Sequence, residues 1–337
     1  MRLAGTLLAF LVLTACGQSS TFAGHPTGTP SAPATSATDA SPSPTQASNL
    51  NFSCRLPFIR DLGADHRQAG FLDLPSGRFT AAAGAPPSAG YYDLAVSAWV
   101  PVGRASVAPN GLHYAYMTGG NPSTTPGPPR LHIVDAATRS DRIIVLTLPA
   151  QQPYGVVDYA ADGVYIASGW EGVTFGIWRV NPTSGTLTDV SKQEHYIDDG
   201  TGHAWVSIFD SRDSDPARSA MDGQPLPNEV ARRDLASGRL TVWFYHPGSN
   251  VAFDAAFIGG GIVVWVETPK GAHEYWLLAS PGDARMIAQI DGGGASMADS
   301  HGIWQGASNG LYLFGPTGTV VRVSDLSGDP ANGCLTK

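Results

Sequence analysis

The chain has 337 residues, 42% of them apolar and only 14% charged, with 40 Gly and 26 Pro. Its 20 Lys and Arg against 28 Asp and Glu leave a net charge of −8, which argues against the clustered cationic surface of a nucleic-acid binder. Coiled-coil and collagen-like chains are excluded by the same composition, and the length suits one large domain or two ordinary ones.

The chain opens with Met1 and Arg2, an apolar run over residues 3–13, and Leu13-Thr14-Ala15-Cys16. That run is shorter than the roughly 20 apolar residues a spanning helix needs, so residues 1–15 read as a signal peptide. Residues 13–16 resemble the lipobox of bacterial lipoproteins. The resemblance implies that Cys16 is the lipid-modified first residue of the mature chain, placed at the extracytoplasmic face of the cell membrane.

Of the 34 residues in 17–50, 27 are Ser, Thr, Pro, Ala or Gly, and Asp39 carries the only charge. Such a segment has no apolar face whose burial could offset its ordering entropy. The expected organisation is therefore a lipidated, disordered tether over 16–53 and a folded domain over 54–337. As a flexible coil the tether reaches on the order of 35 Å.

With Cys16 assigned to lipid, Cys54 and Cys334 remain, flanking everything that looks folded. An even pair in an exported chain suggests one disulfide, the alternative being two free thiols. A bond between them would bring their Cα atoms within about 7 Å and make the two ends of the domain neighbours.

Between those cysteines the sequence repeats. The segment from Asp73 through Ser76-Gly77 to Thr80 returns from Asp234 through Ser237-Gly238 to Thr241, with six of eight positions identical, and again from Asn181 to Thr188. A degenerate fourth copy starts at Asp135. Each is a tight turn, in which the leading carboxylate or amide bonds backbone two residues on and Gly supplies a positive φ. Asn110-Gly111, Asp162-Gly163, Gly260-Gly261 and His301-Gly302 each precede an aliphatic or aromatic run, a strong hairpin cue. The spacing between successive cues is 52 residues from Gly111 to Gly163 and 41 from Gly261 to Gly302.

No sustained 3.6-residue apolar pattern follows residue 54, so the domain reads as all-β. Repeated four-stranded units whose ends must meet point to a β-propeller, because radial closure removes exposed sheet edges. Six blades of about 47 residues suit the spacing, one of them assembled from both chain ends; five and seven stay open, and a stacked double-sheet fold is the rival. The turns Ala108-Pro109-Asn110-Gly111 and Ala160-Ala161-Asp162-Gly163 resemble those of TolB-like and WD-repeat-like bacterial propellers over roughly residues 90–325. No repeat carries a Gly-His start or a Trp-Asp end, so the resemblance bears on fold rather than activity.

The densest polar segment, 194–215, holds His195, Asp198, Asp199, His203, Asp210, Asp213 and Asp215. Imidazole and carboxylate donors could hold a divalent cation, with His195, Asp198, Asp199 and His203 as the candidate ligands. Their spacing fits no EF-hand or helical zinc motif, and a solvated acidic loop is the favoured alternative. Gly306-Ala307-Ser308-Asn309-Gly310 satisfies the G-x-S-x-G pattern, but no His follows it and Asn309-Gly310 opens a further strand, so no nucleophile elbow is expected. Trp243 and Trp265 are assigned to the core and Trp170 to the surface; His113, His132, His246 and His273 read as structural groups.

No catalytic set assembles from these residues. The expected function is a membrane-anchored module binding an unidentified protein or small-molecule ligand, with no cofactor required. Two alternatives stand beside it: a metal-dependent propeller hydrolase or lyase with its site near 194–215, and, on the resemblance, an assembly partner of the TolB-like type.

Overall fold

Turn residues at short intervals between β-branched and aromatic runs dictate short antiparallel strands, and those are what the chain forms. The computed structural model describes residues 45–46, 50–63, 66–120, 125–148, 154–170, 173–191, 196–198, 203–218, 223–234 and 237–335. Among these there is no α-helix, only one 3-10 turn at Arg104–Ser106.

A two-residue strand β1 (Thr45–Gln46) precedes the meander β2 (Cys54–Asp61), β3 (Arg67–Leu74) and β4 (Arg78–Ala81). The hairpin β5 (Tyr91–Asp93) and β6 (Ala98–Val100) leads to a three-stranded sheet of β7 (His113–Thr118), β8 (Arg130–Asp135) and β9 (Asp141–Val145). Three four-stranded antiparallel sheets follow. They are β10 (Tyr154–Ala160), β11 (Gly163–Trp170), β12 (Val173–Val180) and β13 (Leu187–Ser191); β14 (Tyr196–Asp198), β15 (His203–Ile208), β16 (Glu229–Asp234) and β17 (Leu240–Tyr245); and β18 (Asn250–Ala256), β19 (Ile262–Glu267), β20 (His273–Ser280) and β21 (Asp283–Gln289). The last group is β22 (Ser296–Asp299), β23 (Gly302–Ala307), β24 (Gly310–Phe314) and β25 (Val320–Ser324), with β26 (Gly328–Pro330) closing the chain.

Strand β26 belongs to the other end of the sequence. It pairs antiparallel with β2 through Phe58↔Pro330, Ile59↔Asp329 and Arg60↔Gly328, and meets β23 only at Ala307↔Gly328. The first sheet thus has the order β26-β2-β3-β4 and draws on both termini. Gly328 has φ 146°, and a Cβ there would lie 2.2 Å from the Ile59 carbonyl oxygen, so only glycine lets the two backbones approach this closely. The Cys54–Cys334 disulfide, with Cα atoms 5.6 Å apart, locks the same junction and meets the expectation drawn from the cysteine count.

Side chains alternate across each strand and feed two different cores. On β19, Val263 packs towards Ile303 and Phe314 of the following sheet, while Ile262, Val264 and Val266 pack towards Trp205 and Phe244 of the preceding one. On β11, Val164 and Ile166 join Leu131 and Ile133, while Tyr165 and Ala167 join Ala204 and Val206. The circuit continues from Trp304, Leu311 and Leu313 to Leu56 and Phe58, from Ile59 and Ala331 to Trp99, and from Tyr91 and Val100 to Tyr114 and Val134. Each sheet is buried against its two neighbours and the last returns to the first, which is the arrangement of a β-propeller and not of a double-sheet stack. Fully burying one of these large apolar side chains contributes roughly 1.5–3 kcal/mol.

Turns of one sheet latch onto its neighbour. Arg142 Nη1 donates to the Pro182 carbonyl at 2.7 Å and its Nη2 to that of Thr183; Gly282 N donates to Trp243 O at 3.0 Å; Arg285 donates to Thr317 O. The repeated turns form as their sequence dictates. Asp135 Oδ1 accepts from the N–H groups of Ala137 and Thr138, Asn181 Oδ1 from those of Thr183 and Ser184, and Asp234 Oδ1 from Ser237 N and Oγ.

Candidate functional site

One face of the β14–β17 sheet gathers a cluster of polar side chains. Period-two alternation and the register His203↔Asp234, Trp205↔Arg232 and Arg232↔Thr241 place these side chains on the same side. His203, Arg232, Asp234, Arg239, Thr241 and Trp243 line an open cleft of about 190 Å³. Its aromatic lining residue, Trp243, meets the buried Trp205 edge-on at 4.8 Å; Trp205 in turn stacks on Phe253 of the next sheet at 5.7 Å and lies 5.5 Å from the Arg232 guanidinium.

Asp234 is the acid of this cleft. The Ser237 hydroxyl and N–H, at 2.6 and 2.7 Å, hold its carboxyl below the usual carboxylate range, so it stays ionised, and its second oxygen lies 3.7 Å from His203 Nε2. Arg239 is exposed at the mouth, and its charge helps to lower the Asp234 carboxyl. Two guanidiniums, an imidazole and one committed carboxylate give the described lining a cationic excess beside an indole.

The arrangement occurs twice. His113 faces Asp135 across β7 and β8 as His203 faces Asp234, and a cleft of about 270 Å³ lies there between His113, Asp135, Ser140, Arg142, Tyr159 and Pro182. In that copy Arg142 is consumed by the carbonyls of Pro182 and Thr183, which makes it an inter-sheet latch.

The favoured sequence reading of 194–215 as a solvated acidic loop needs correction at two positions. Asp210 is buried, and its carboxylate accepts from Arg212 N at 2.9 Å and from Arg212 Nε at 2.6 Å. Asp213 Oδ2 accepts from Gly248 N at 2.7 Å and Asn228 Nδ2 at 3.0 Å; these bonds, together with one from Asp215 N, lower its pKa despite burial. The physical reason is backbone satisfaction: at Asp210 and Asp213 the carboxylates bond the N–H groups of Arg212, Asp215 and Gly248, replacing the solvent those groups would otherwise need. Beside Asp210 sits Glu229, 4% exposed; burial first, then the Asp210 carboxylate, push it up to about 7, while Arg212 opposes the shift.

Of the candidate metal ligands, His203 lies in the cleft, the side chain of Asp198 in β14 is not described, and His195 and Asp199 fall outside the described residues. Cys16 and the signal and lipobox residues also fall outside them, as does the Trp170 side chain. Trp243 and Trp265 are partly buried at the margins of the cores rather than within them. His132 is the structural histidine the sequence suggested, bonded to Thr118 Oγ1 at 2.8 Å and Asp141 Oδ2 at 2.7 Å. His246 and His273 depart from that pattern, since each has a buried Nδ1 without a hydrogen bond and packs its ring on Trp276 or Trp265 instead. Ser308 sits in the β23–β24 hairpin with its hydroxyl donated to Asp291 O at 2.6 Å, so the G-x-S-x-G match is a strand turn.

Sequence reasoning passed over a second cluster. Ligand atoms of Asp299, His301 and Cys334 lie within 4.8 Å of one another at the ring junction, with the Cys334 sulfur bonded to Cys54. Asp299 and His301 are two apart in the hairpin that leads into β23, but nothing in the sequence pairs them with residue 334.

No protein-family model matches the chain, and no curated protein matches it. Among solved structures it is similar to TolB from Acinetobacter baumannii, at 10% identity and a TM-score of 0.47 over 83% of this chain and 67% of that one. It is also similar to an oligogalacturonate lyase in complex with manganese, at 13% and 0.43 over 77% and 71%, and to an auxiliary nutrient binding protein from Bacteroides thetaiotaomicron, at 10% and 0.38 over 64% and 55%. The ring arrangement itself rests on the strand order and the circuit of cores described above.

Proposed function

We propose that this chain is a non-catalytic binding module, tethered by a lipid on Cys16 to the extracytoplasmic face of the cell membrane, which takes a small anionic ligand in the His203 cleft. The blade count we assign is six: β26-β2-β3-β4, β7–β9 extended by the Val107↔Tyr114 bridge, and the four sheets that follow, with the β5–β6 hairpin as a wedge between the first two. One observation carries the binding reading: Arg232, Arg239 and His203 converge beside the Trp243 indole around a carboxylate already committed to Ser237. Guanidinium favours carboxylate oxygens, and an indole offers a flat apolar face, so a carboxylate carried on a sugar-like ring matches both walls. The acids Asp210, buried, and Asp213, half-buried, support the same reading, being engaged in holding loops rather than standing free for chemistry.

The test is a tryptophan-fluorescence titration of the full Cys16→Ser chain with glucuronate, with glucose and acetate as controls. Saturable quenching by glucuronate, weakened at least tenfold by Arg239→Ala and absent with glucose, is expected. An unchanged response in Arg239→Ala, or no response to any anion, refutes the cleft assignment. Fractionation of the same Cys16→Ser chain tests the anchor: it should leave the membrane fraction, and retention there refutes lipidation.

A further inference from the structure

The junction where the ring closes contains more donor chemistry than a disulfide needs. Asp299 ends β22, the turn at Ser300 carries His301 back over it, Cys54 opens β2, and Cys334 arrives with the C-terminal segment. Asp299 is held in place: its Oδ2 accepts from Trp304 Nε1 at 2.8 Å and Cys334 N at 2.7 Å, and its Oδ1 from His301 N at 2.7 Å. His301 is held by its ring, packed 4.2 Å from Phe52. Its Nδ1 is buried and lies 3.3 Å from Asp299 Oδ1, yet makes no hydrogen bond. An imidazole nitrogen without a bond, a carboxylate oxygen and the Cys334 sulfur therefore lie within 4.8 Å of one another, with the Cys54 sulfur bonded to the last.

We propose that reduction of Cys54–Cys334 converts this junction into a binding site for a thiophilic divalent ion of the zinc class, ligated by both sulfurs and His301 Nδ1 with Asp299 as the fourth or supporting oxygen. The sulfurs would have to separate from bonding distance to the spacing of two corners of a coordination tetrahedron, between Cα atoms that stand 5.6 Å apart in the disulfide. Two thiolates, one imidazole and one carboxylate form a set suited to zinc and unsuited to calcium or magnesium, which take oxygen ligands. The hydrogen bonds from Trp304 and Cys334 N orient the carboxylate as an outer shell orients a ligand. The S–S bond takes two electrons and two protons from a dithiol, which becomes a disulfide; on metal binding each thiol releases its proton to water and forms a metal–sulfur bond. The ring is then stapled at the same place under reducing as under oxidising conditions.

The experiment uses the full Cys16→Ser chain, which removes the third thiol, titrated with Co²⁺ before and after reduction by a phosphine. The phosphine becomes its oxide, taking oxygen from water, as the disulfide becomes two thiols. One Co²⁺ per chain with a thiolate-to-metal absorption band is expected in the reduced protein only, and Zn²⁺ should displace it. His301→Ala, which removes a direct ligand, should lower affinity by more than the roughly 10- to 100-fold that loss of an outer-shell partner costs, and alter the d–d bands. In circular dichroism, Zn²⁺ should restore the thermal midpoint that reduction lowers. The proposal is overturned by absence of the band on reduction, by equal binding to the oxidised chain or to Cys54→Ser with Cys334→Ser, by a His301→Ala chain that binds as the parent does, or by a reduced chain that unfolds and regains no strand signal with Zn²⁺.

Discussion

Replacing Glu229 by Gln isolates the electrostatic cost of the buried acid pair. Glu229 is raised from the ordinary 4.5 to about 7, and Asp210, its neighbour, is buried as well. A carboxyl whose pKa is higher folded than unfolded favours the native state while protonated. That contribution is complete below about pH 4.5 and is lost progressively as pH climbs to 7. The gap between 4.5 and about 7 corresponds to about 3 kcal/mol, an upper figure because Arg212, half in solvent, is free to move towards the second charge. Gln has the shape of protonated Glu and keeps a donor for Asp210, but cannot ionise. The variant should therefore lack this part of the decline, gaining up to about 3 kcal/mol on the wild type between pH 5 and pH 8. Urea melts of both proteins at the two pH values measure that difference, in which titrating groups that do not interact with Glu229 cancel. Parallel stability curves would show that Glu229 ionises in the fold as it does unfolded, and the account of the pair would be wrong.

Four further outcomes follow from the same structure. Asp254, whose Oδ2 is buried without a hydrogen bond and which burial raises to about 7, should behave like Glu229, so Asp254→Asn should gain on wild type at pH 8 relative to pH 5 in the same melts. Removing the disulfide by Cys54→Ser with Cys334→Ser frees a loop of 280 residues and should cost up to about 5 kcal/mol in denaturant melts; a loss under 1 kcal/mol would mean the ring is closed without it. Gly328→Ala drives a methyl into the Ile59 carbonyl and should cost about 3 kcal/mol or more, read as a lowered melting midpoint; an unchanged midpoint would disprove the tight approach of β26 to β2. Asn332→Ala strips the partner from Tyr91 Oη and Tyr92 O, bonded at 2.9 and 2.7 Å, and should cost about 2 kcal/mol by the same assay, with Asn332→Asp recovering little because an acid lacks the amide donors.

The turns were the legible part of this fold. Asp135, Asn181 and Asp234 bond their own backbone within three residues, so the chemistry sits inside a window that sequence displays, and the strand order follows from turns placed in succession. The cysteine pair was legible by counting. The β5–β6 wedge was not, since a hairpin of two three-residue strands carries too few residues to reveal a period. Acidic residues in 194–215 were visible as letters, yet the partners that turn Asp213 inward stand 15 and 35 residues away, at Asn228 and Gly248. The cleft was half visible for the same reason: His203 drew notice as a ligand type, whereas its neighbours Arg232 and Arg239 become neighbours only through the β15–β16–β17 register.

Ring closure explains why so many unlike contacts crowd one junction. Holding the two ends of such a chain together opposes a closure entropy of about 5 kcal/mol, and a three-residue strand supplies few backbone bonds, each worth about 1 kcal/mol net. The C-terminal segment therefore spreads its attachments. Ala331 N donates to Pro57 O and Leu335 N to Arg55 O on one side, Tyr92 N donates to Ala331 O and Asn332 Nδ2 to Tyr91 Oη on the other, and Arg67 pairs with Asp329. These contacts sit between the first sheet and the wedge, so losing any one leaves the others in place and splays the ring only partly. The covalent link between residues 54 and 334 differs in kind, because it constrains the unfolded chain as well, and the weak local bonds then form between ends that are already neighbours.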